Sequence, residues 1–114
     1  MQAMEAANAL AQAIRESGEY REYARLKEEI DADAGILSLV NEYKRLQNSL
    51  QMRMLSGQGL EEEEARRFQS LNMLLFADSR TSGYLMAELR LQKMMADIFG
   101  VLTRAAGMDI PLPV

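Results

Sequence analysis

The sequence predicts an all-α fold: a bundle of about five helices, with long antiparallel helices and no sheet. Three observations predict it. Apolar residues recur at three- and four-residue steps along most of the chain, and no run alternates β-branched residues at a period of two. Both prolines, Pro111 and Pro113, sit near the C-terminal end, so nothing interrupts a helix upstream. Helix-forming Ala, Leu, Glu, Arg, Gln and Met dominate the composition.

The first helix spans 2–16, with Met4, Ala7, Leu10, Ala11 and Ile14 on one face. Ser17-Gly18 breaks the pattern. Ser17 suits the N-cap of the next helix, and Glu19 falls in a first turn, where the helix dipole favours negative charge. That second helix, 19–32, lines up Tyr20, Tyr23, Leu26, Lys27 and Ile30 against Arg21, Glu22, Arg25, Glu28 and Glu29. Asp33 caps a third helix, 34–56, whose inner stripe is Ile36, Leu39, Val40, Tyr43, Leu46 and Leu50. Ser56-Gly57-Gln58-Gly59 is the clearest loop. A fourth helix, 60–76, follows Leu60, Phe68, Leu71, Leu74 and Leu75.

Asp78 caps a long last helix, 80–106. Tyr84, Ala87, Leu91, Met94, Ile98, Val101 and Ala105 keep alternating three- and four-residue steps along it. Met94 and Ile98 are expected in the core. Gly107 is placed as the C′ residue, where a left-handed backbone favours glycine. The expected organisation is one helical domain, 1–107, followed by an extended tail, 108–114.

Absent residue types narrow the function. With no Cys there is no disulfide, thiolate nucleophile or zinc-thiolate site. With no His, the commonest general base and transition-metal ligand are missing. No cofactor, no metal and no enzymatic activity are expected. A net charge of −4 makes direct nucleic-acid binding unexpected. The N-terminal stretch has neither a basic start nor a continuous apolar core, so it is not read as a signal peptide. No apolar run approaches the roughly 20 residues of a membrane span. No membrane insertion and a cytoplasmic location are the expectation.

Glu61-Glu62-Glu63-Glu64 looks like a cation site, but consecutive helix positions point in different directions. Its better reading is a solvated first turn, with Glu62–Arg66 and Glu63–Arg67 pairs four residues apart. The methionines are numerous, nine in all, and Met52, Met54 and Met86 lie off the main stripes as contact candidates. The segment Tyr84–Leu91 is the most informative. With Tyr84 at 0°, Leu85 lies near about 100°, Leu89 near about 140°, Met86 near about 200° and Ala87 near about 300°. A helix apolar nearly all round must be covered on two sides, by its own chain or by a second one. Leu85, Met86 and Leu89 are therefore interface candidates. Glu88, at about 40° in the same scheme, joins them as an acid in an apolar sector. Arg15, Arg45 and Arg53 are its candidate partners, and a structural ion pair is the plainer reading.

The run Ala11–Ile14, then Arg15-Glu16-Ser17-Gly18-Glu19-Tyr20, resembles the opening of the YlbF/YmcA/YheA family of small bacterial proteins. So do Lys27-Glu28-Glu29-Ile30 with Asp33, Glu42-Tyr43-Lys44-Arg45-Leu46-Gln47, and the Gly57/Gly59 loop. Tyr84-Leu85-Met86-Ala87-Glu88-Leu89-Arg90-Leu91, leading to Asp97-Ile98, resembles that family's last helix. The similarity implies a self-associating, non-enzymatic regulatory adaptor. Such factors control competence, sporulation and biofilm formation through a complex that influences messenger-RNA processing. The expected partners are a second copy, giving a homodimer, and other proteins, including those of an RNA-processing complex. The alternative is a structural self-assembling subunit of scaffold or phage type.

Overall fold

The computed structural model describes residues 1–108. Among these, 87% are helical and no strand occurs. The helices are α1 (Ala3–Glu16), α2 (Gly18–Asp31), α3 (Ala34–Leu55), α4 (Glu62–Ala77) and α5 (Ser79–Ala106). All five match the segments read from the periodicity, with ends displaced by a residue or two. The tail, Met108 apart, lies outside the described residues.

Local capping chemistry explains where the helices stop. Ser17 leaves helical geometry at φ −69° and ψ 152°. Its hydroxyl accepts from the Tyr20 amide at 3.1 Å and donates to the Ile14 carbonyl at 2.6 Å, so it closes α1 and opens α2. Asp33 does the equivalent for α3, accepting from the Ile36 amide at 3.1 Å. Gly57, at φ +76°, ends α3. The Gly57 amide donates to Met54 and the Gln58 amide donates to Arg53, the paired bonds of a Schellman motif. Gly107, at φ +65°, ends α5 with its amide on the Thr103 carbonyl at 3.0 Å. Asp78 is a single extended residue between α4 and α5, at φ −96° and ψ 124°.

The described chain divides into two compact units. One comprises Leu26–Tyr84, the other Met1–Arg25 and the residues from Leu85 onward. The first holds most of the core. Leu26, Ile30, Val40, Tyr43, Leu46, Leu71, Leu75 and Tyr84 are buried there. Within it, α3 and α4 run antiparallel, held by pairs along their length. Arg53 meets Glu64 at 3.3 Å, and Arg67 holds Glu42 through Nε and Nη2 at 2.7 and 2.8 Å. The Tyr43 ring stands edge-on to Phe68 at 5.0 Å, and its hydroxyl donates to Asn72 Oδ1 at 3.2 Å. Lys44 lies over the Tyr84 ring at 4.8 Å and donates to its hydroxyl at 2.7 Å.

Two readings of the stripes change here. Leu74 is 54% exposed. It sits about 60° from Leu71 on the side away from Phe68 and Leu75, outside the face turned to the core. Arg67 bonds Glu42 on α3 rather than Glu63 on its own helix. There the guanidinium fork makes two hydrogen bonds to one carboxylate, which adds strength and directional specificity over a single contact.

Among the described residues, Thr81 is the one buried polar residue. Its hydroxyl donates to the Leu75 carbonyl and lies 3.1 Å from that of Asp78, so it satisfies acceptors exposed by the break between α4 and α5. Thr81→Val keeps the shape but removes the donor. It is expected to cost about 1–3 kcal/mol, read as a lower urea midpoint at unchanged slope. Gly83 has room for a side chain, because an added Cβ would lie 3.8 Å from Leu26 Cδ1, an ordinary contact. Gly83→Ala should stabilise the protein by about 0.5–1 kcal/mol through the unfolded chain's lost freedom. A lower melting temperature in this variant would show that α5 is more tightly packed there than the spacing indicates.

Candidate protein-interaction surface

The unit containing α1 has an unusual burial pattern. Helix α1 buries no residue: Met4 is exposed, and Leu10, Ala11 and Ile14 are only half-buried. In α5, Leu85 and Ala87 are buried, and nothing after Ala87 is. Yet the helix remains apolar. Leu91, Ile98 and Leu102 lie within about 20° of one line, with Met94 about 60° to one side and Met95 about 40° to the other. Leu91, Met94, Ile98 and Phe99 are half-buried, and Met95, Val101 and Leu102 are exposed. Met94 and Ile98 are thus not core residues of the single chain. The heptad spacing correctly makes an apolar face, but only part of that face is covered.

The interface candidates from the sequence separate. Leu85 is 6% exposed and belongs to the core, because at its level the protein's own side chains cover α5 on that side. Met86 and Leu89, at 44% and 53%, stay on the surface. Glu88 is half-buried and has a polar or electrostatic partner within the chain. Of the three arginines considered for it, Arg53 pairs with Glu64, and Arg15 donates to Gln12 at 2.9 Å on its own helix. The wider face formed by Met95, Val101 and Leu102 was not among the candidates.

The Leu26–Tyr84 unit exposes apolar groups of its own: Met52, Met54 and Leu55 at the end of α3, and Met73, Leu74 and Phe76 on α4. Met52 and Met54 are surface residues, as their position off the stripe indicates.

The polar groups offer little chemistry. Among the described residues, no group of three or more acidic side chains is placed to hold a metal ion. Glu62 pairs with Arg66 on the same exposed helix face. A depression of 410 Å³ lined by Glu19, Arg90, Lys93, Met94 and Asp97 is open to solvent, and Lys93 and Asp97 pair at 3.2 Å beside it. No described helix is long and apolar enough to cross a membrane.

Two carboxylates titrate abnormally. The hydrogen bond from Arg67 holds Glu42 below its ordinary value, aided by the charges of Arg67 and Arg45. Asp78 is lowered first by the Arg80 amide and then by the Arg80 guanidinium. The folded state therefore binds these protons less readily than the unfolded chain. Their contribution is present above the ordinary carboxylate range, about pH 4, and fades as pH falls through the lowered values. Glu42→Gln should lower the melting temperature at neutral pH and converge with the wild type at about pH 2. Parallel curves across that range would mean that the Glu42–Arg67 pair contributes nothing.

Comparison with known proteins agrees with this helical layout. The chain is 30% identical over 105 residues to a UPF0342 protein of Symbiobacterium thermophilum, covering 92% of this chain and 94% of that one. It is 30% identical over 112 residues to a UPF0342 protein of Desulfitobacterium hafniense, covering 98% and 90%. It is 35% identical over 92 residues to a UPF0342 protein of Streptococcus pyogenes, covering 81% of each. The fold is similar to the solved structure of a protein of unknown function (DUF964) from Bacillus stearothermophilus. That match has a TM-score of 0.72 at 17% identity, over 91% of both chains. A family model described as "Control of competence regulator ComK, YlbF/YmcA" matches residues 3–105. With the model spanning all five helices, the chain belongs to the YlbF/YmcA family.

Proposed function

We propose that this protein is a non-enzymatic regulatory adaptor of the cytoplasm that acts by protein–protein contacts and pairs with a second copy of itself through α5. The family description, control of a competence regulator, supports the regulatory class. The resemblance noted in the sequence implies the finer setting, a complex that influences messenger-RNA processing.

One observation carries the reading: α5 continues for nineteen residues beyond Ala87 with a wide apolar face and buries none of them. Each large apolar side chain left in water forgoes about 1.5–3 kcal/mol of burial. A two-fold axis beside α5 would set the Leu91–Ile98–Leu102 face against its own copy, so each contact between two different residues of the face is formed twice. Met86 and Leu89, about 140–200° from Tyr84 and so on another side of the helix, are then left for a different protein.

Two measurements test this. Sedimentation equilibrium should show a dimer at tens of micromolar, and a monomer at that concentration would refute the pairing. Affinity capture from the native host should recover RNA-processing proteins at stoichiometric yield with the wild type and at reduced yield with Leu89→Asp. Recovery of this chain alone would favour a self-assembling structural subunit and overturn the adaptor reading.

A further inference from the structure

Methionine is ordinarily a buried residue. Here eight of the nine are exposed, and the ninth, Met94, is half-buried. The chain has no Cys, so no thiol of its own competes for a two-electron oxidant. Its thioethers are the soft nucleophiles that such an oxidant meets.

Two of them occupy a particular place. Met94 and Met95 flank the Leu91–Ile98–Leu102 line, one on each side, about 60° and about 40° away. Met95 is 40% exposed, enough for peroxide to reach its sulfur. Both lie on the face assigned above to self-pairing, and this inference rests on that reading.

We propose that Met94 and Met95 form a peroxide-sensitive site that loosens the pairing of α5 when oxidised. The reaction is an oxygen-atom transfer. The methionine sulfur attacks one oxygen of hydrogen peroxide, a sulfur–oxygen bond forms and the oxygen–oxygen bond breaks. The thioether becomes a sulfoxide, and the peroxide is reduced to water after internal proton transfer. A flexible apolar side chain thereby gains a strong hydrogen-bond acceptor. Among the Leu, Ile, Val and Phe side chains of this face, pairing would strip water from that acceptor, most of all at Met95, since Met94 also borders Arg90 and Lys93, which are donors. Two-fold symmetry places the penalty on both copies. Oxidation occurs while the copies are apart and the sulfurs are open to solvent, so it traps the separated form. Sulfoxide reductases make the change reversible.

The test compares wild type with the Met94→Leu/Met95→Leu double variant, which keeps the apolar volume and cannot form a sulfoxide. Each is measured by sedimentation equilibrium before and after hydrogen peroxide, with peptide mass spectrometry locating the added oxygens. The reduced proteins should pair equally. Peroxide should weaken wild-type pairing at least tenfold, leave the variant within twofold of its reduced value, and be undone by methionine sulfoxide reductases A and B. The remaining methionines oxidise in both proteins and serve as the internal control. Wild-type pairing unchanged with Met94 and Met95 oxidised would overturn the proposal, as would equal weakening in the variant. A reduced wild type that stays monomeric fails earlier and removes the pairing itself, so the two failures are distinguishable.

Discussion

Leu71→Ala is expected to destabilise the protein by about 2–5 kcal/mol. Leu71 is 0% exposed on the inner face of α4, and Leu46, Val40 and Leu75 are within 2% of full burial in the same unit. Removing its branched end deletes dispersion contacts and leaves a void that fixed helices close only in part. A domain of this size has roughly 5–15 kcal/mol in all, and each kilocalorie moves its melting temperature by about 4–8 °C. The variant should melt at least 10 °C lower (roughly 2 kcal/mol at that scale). Its urea midpoint should fall with the slope unchanged. A midpoint within error of the wild type would show that α3 and α4 do not pack through Leu71. Ile98→Ala makes the informative contrast. Ile98 is half-buried in the chain, so at low protein concentration its loss should cost less than that of Leu71. The deficit should grow with concentration, because stability gained from pairing obeys mass action.

Leu102→Asp is expected to weaken self-pairing by at least about a hundredfold, some 2.7 kcal/mol. Leu102 is 52% exposed and lies on the same line as Leu91 and Ile98. In a two-fold interface the substitution appears twice, removing two leucines and placing two carboxylates where water is being expelled. The fold of the single chain should tolerate it. An exposed helix position contributes little beyond propensity, and Asp costs only a fraction of a kilocalorie there. Helix content and melting at low concentration should therefore match the wild type, while sedimentation equilibrium shows monomer. A dimer untouched by the substitution would move the interface to another face, with Met86 and Leu89 the next to be tested.

The helices and their ends were legible because their causes are local. Ser17 and Asp33 accept amides three residues on, Gly57 and Gly107 adopt positive φ, and apolar spacing marks five segments. All of these interactions act within a few positions along the chain. Periodicity also told which side of each helix is apolar. It could not tell whether anything covers that side. Met94 and Ile98 fall on the same stripe of three- and four-residue steps as Tyr84 and Ala87, yet Tyr84 is 4% exposed and Ala87 1%, whereas the later pair is half-buried. Leu85 looked surplus on the helix wheel and is core at 6% exposure, because a wheel shows which side of a helix is apolar and not what covers it.

The same division holds for the polar groups. Glu63 and Arg67 have favourable spacing on α4, but Arg67 reaches Glu42, twenty-five positions away, at 2.7 Å. Thr81 is an ordinary residue in sequence. Its role appears only when the break at Asp78 leaves the Leu75 carbonyl needing a donor. By itself, then, the sequence determined helix type, helix ends and apolar faces, through capping and a period of 3.6 residues. Tertiary structure alone decided which part of each face is buried and which long side chains meet. Burial and cross-helix pairing depend on the placement of whole helices, which no local spacing records.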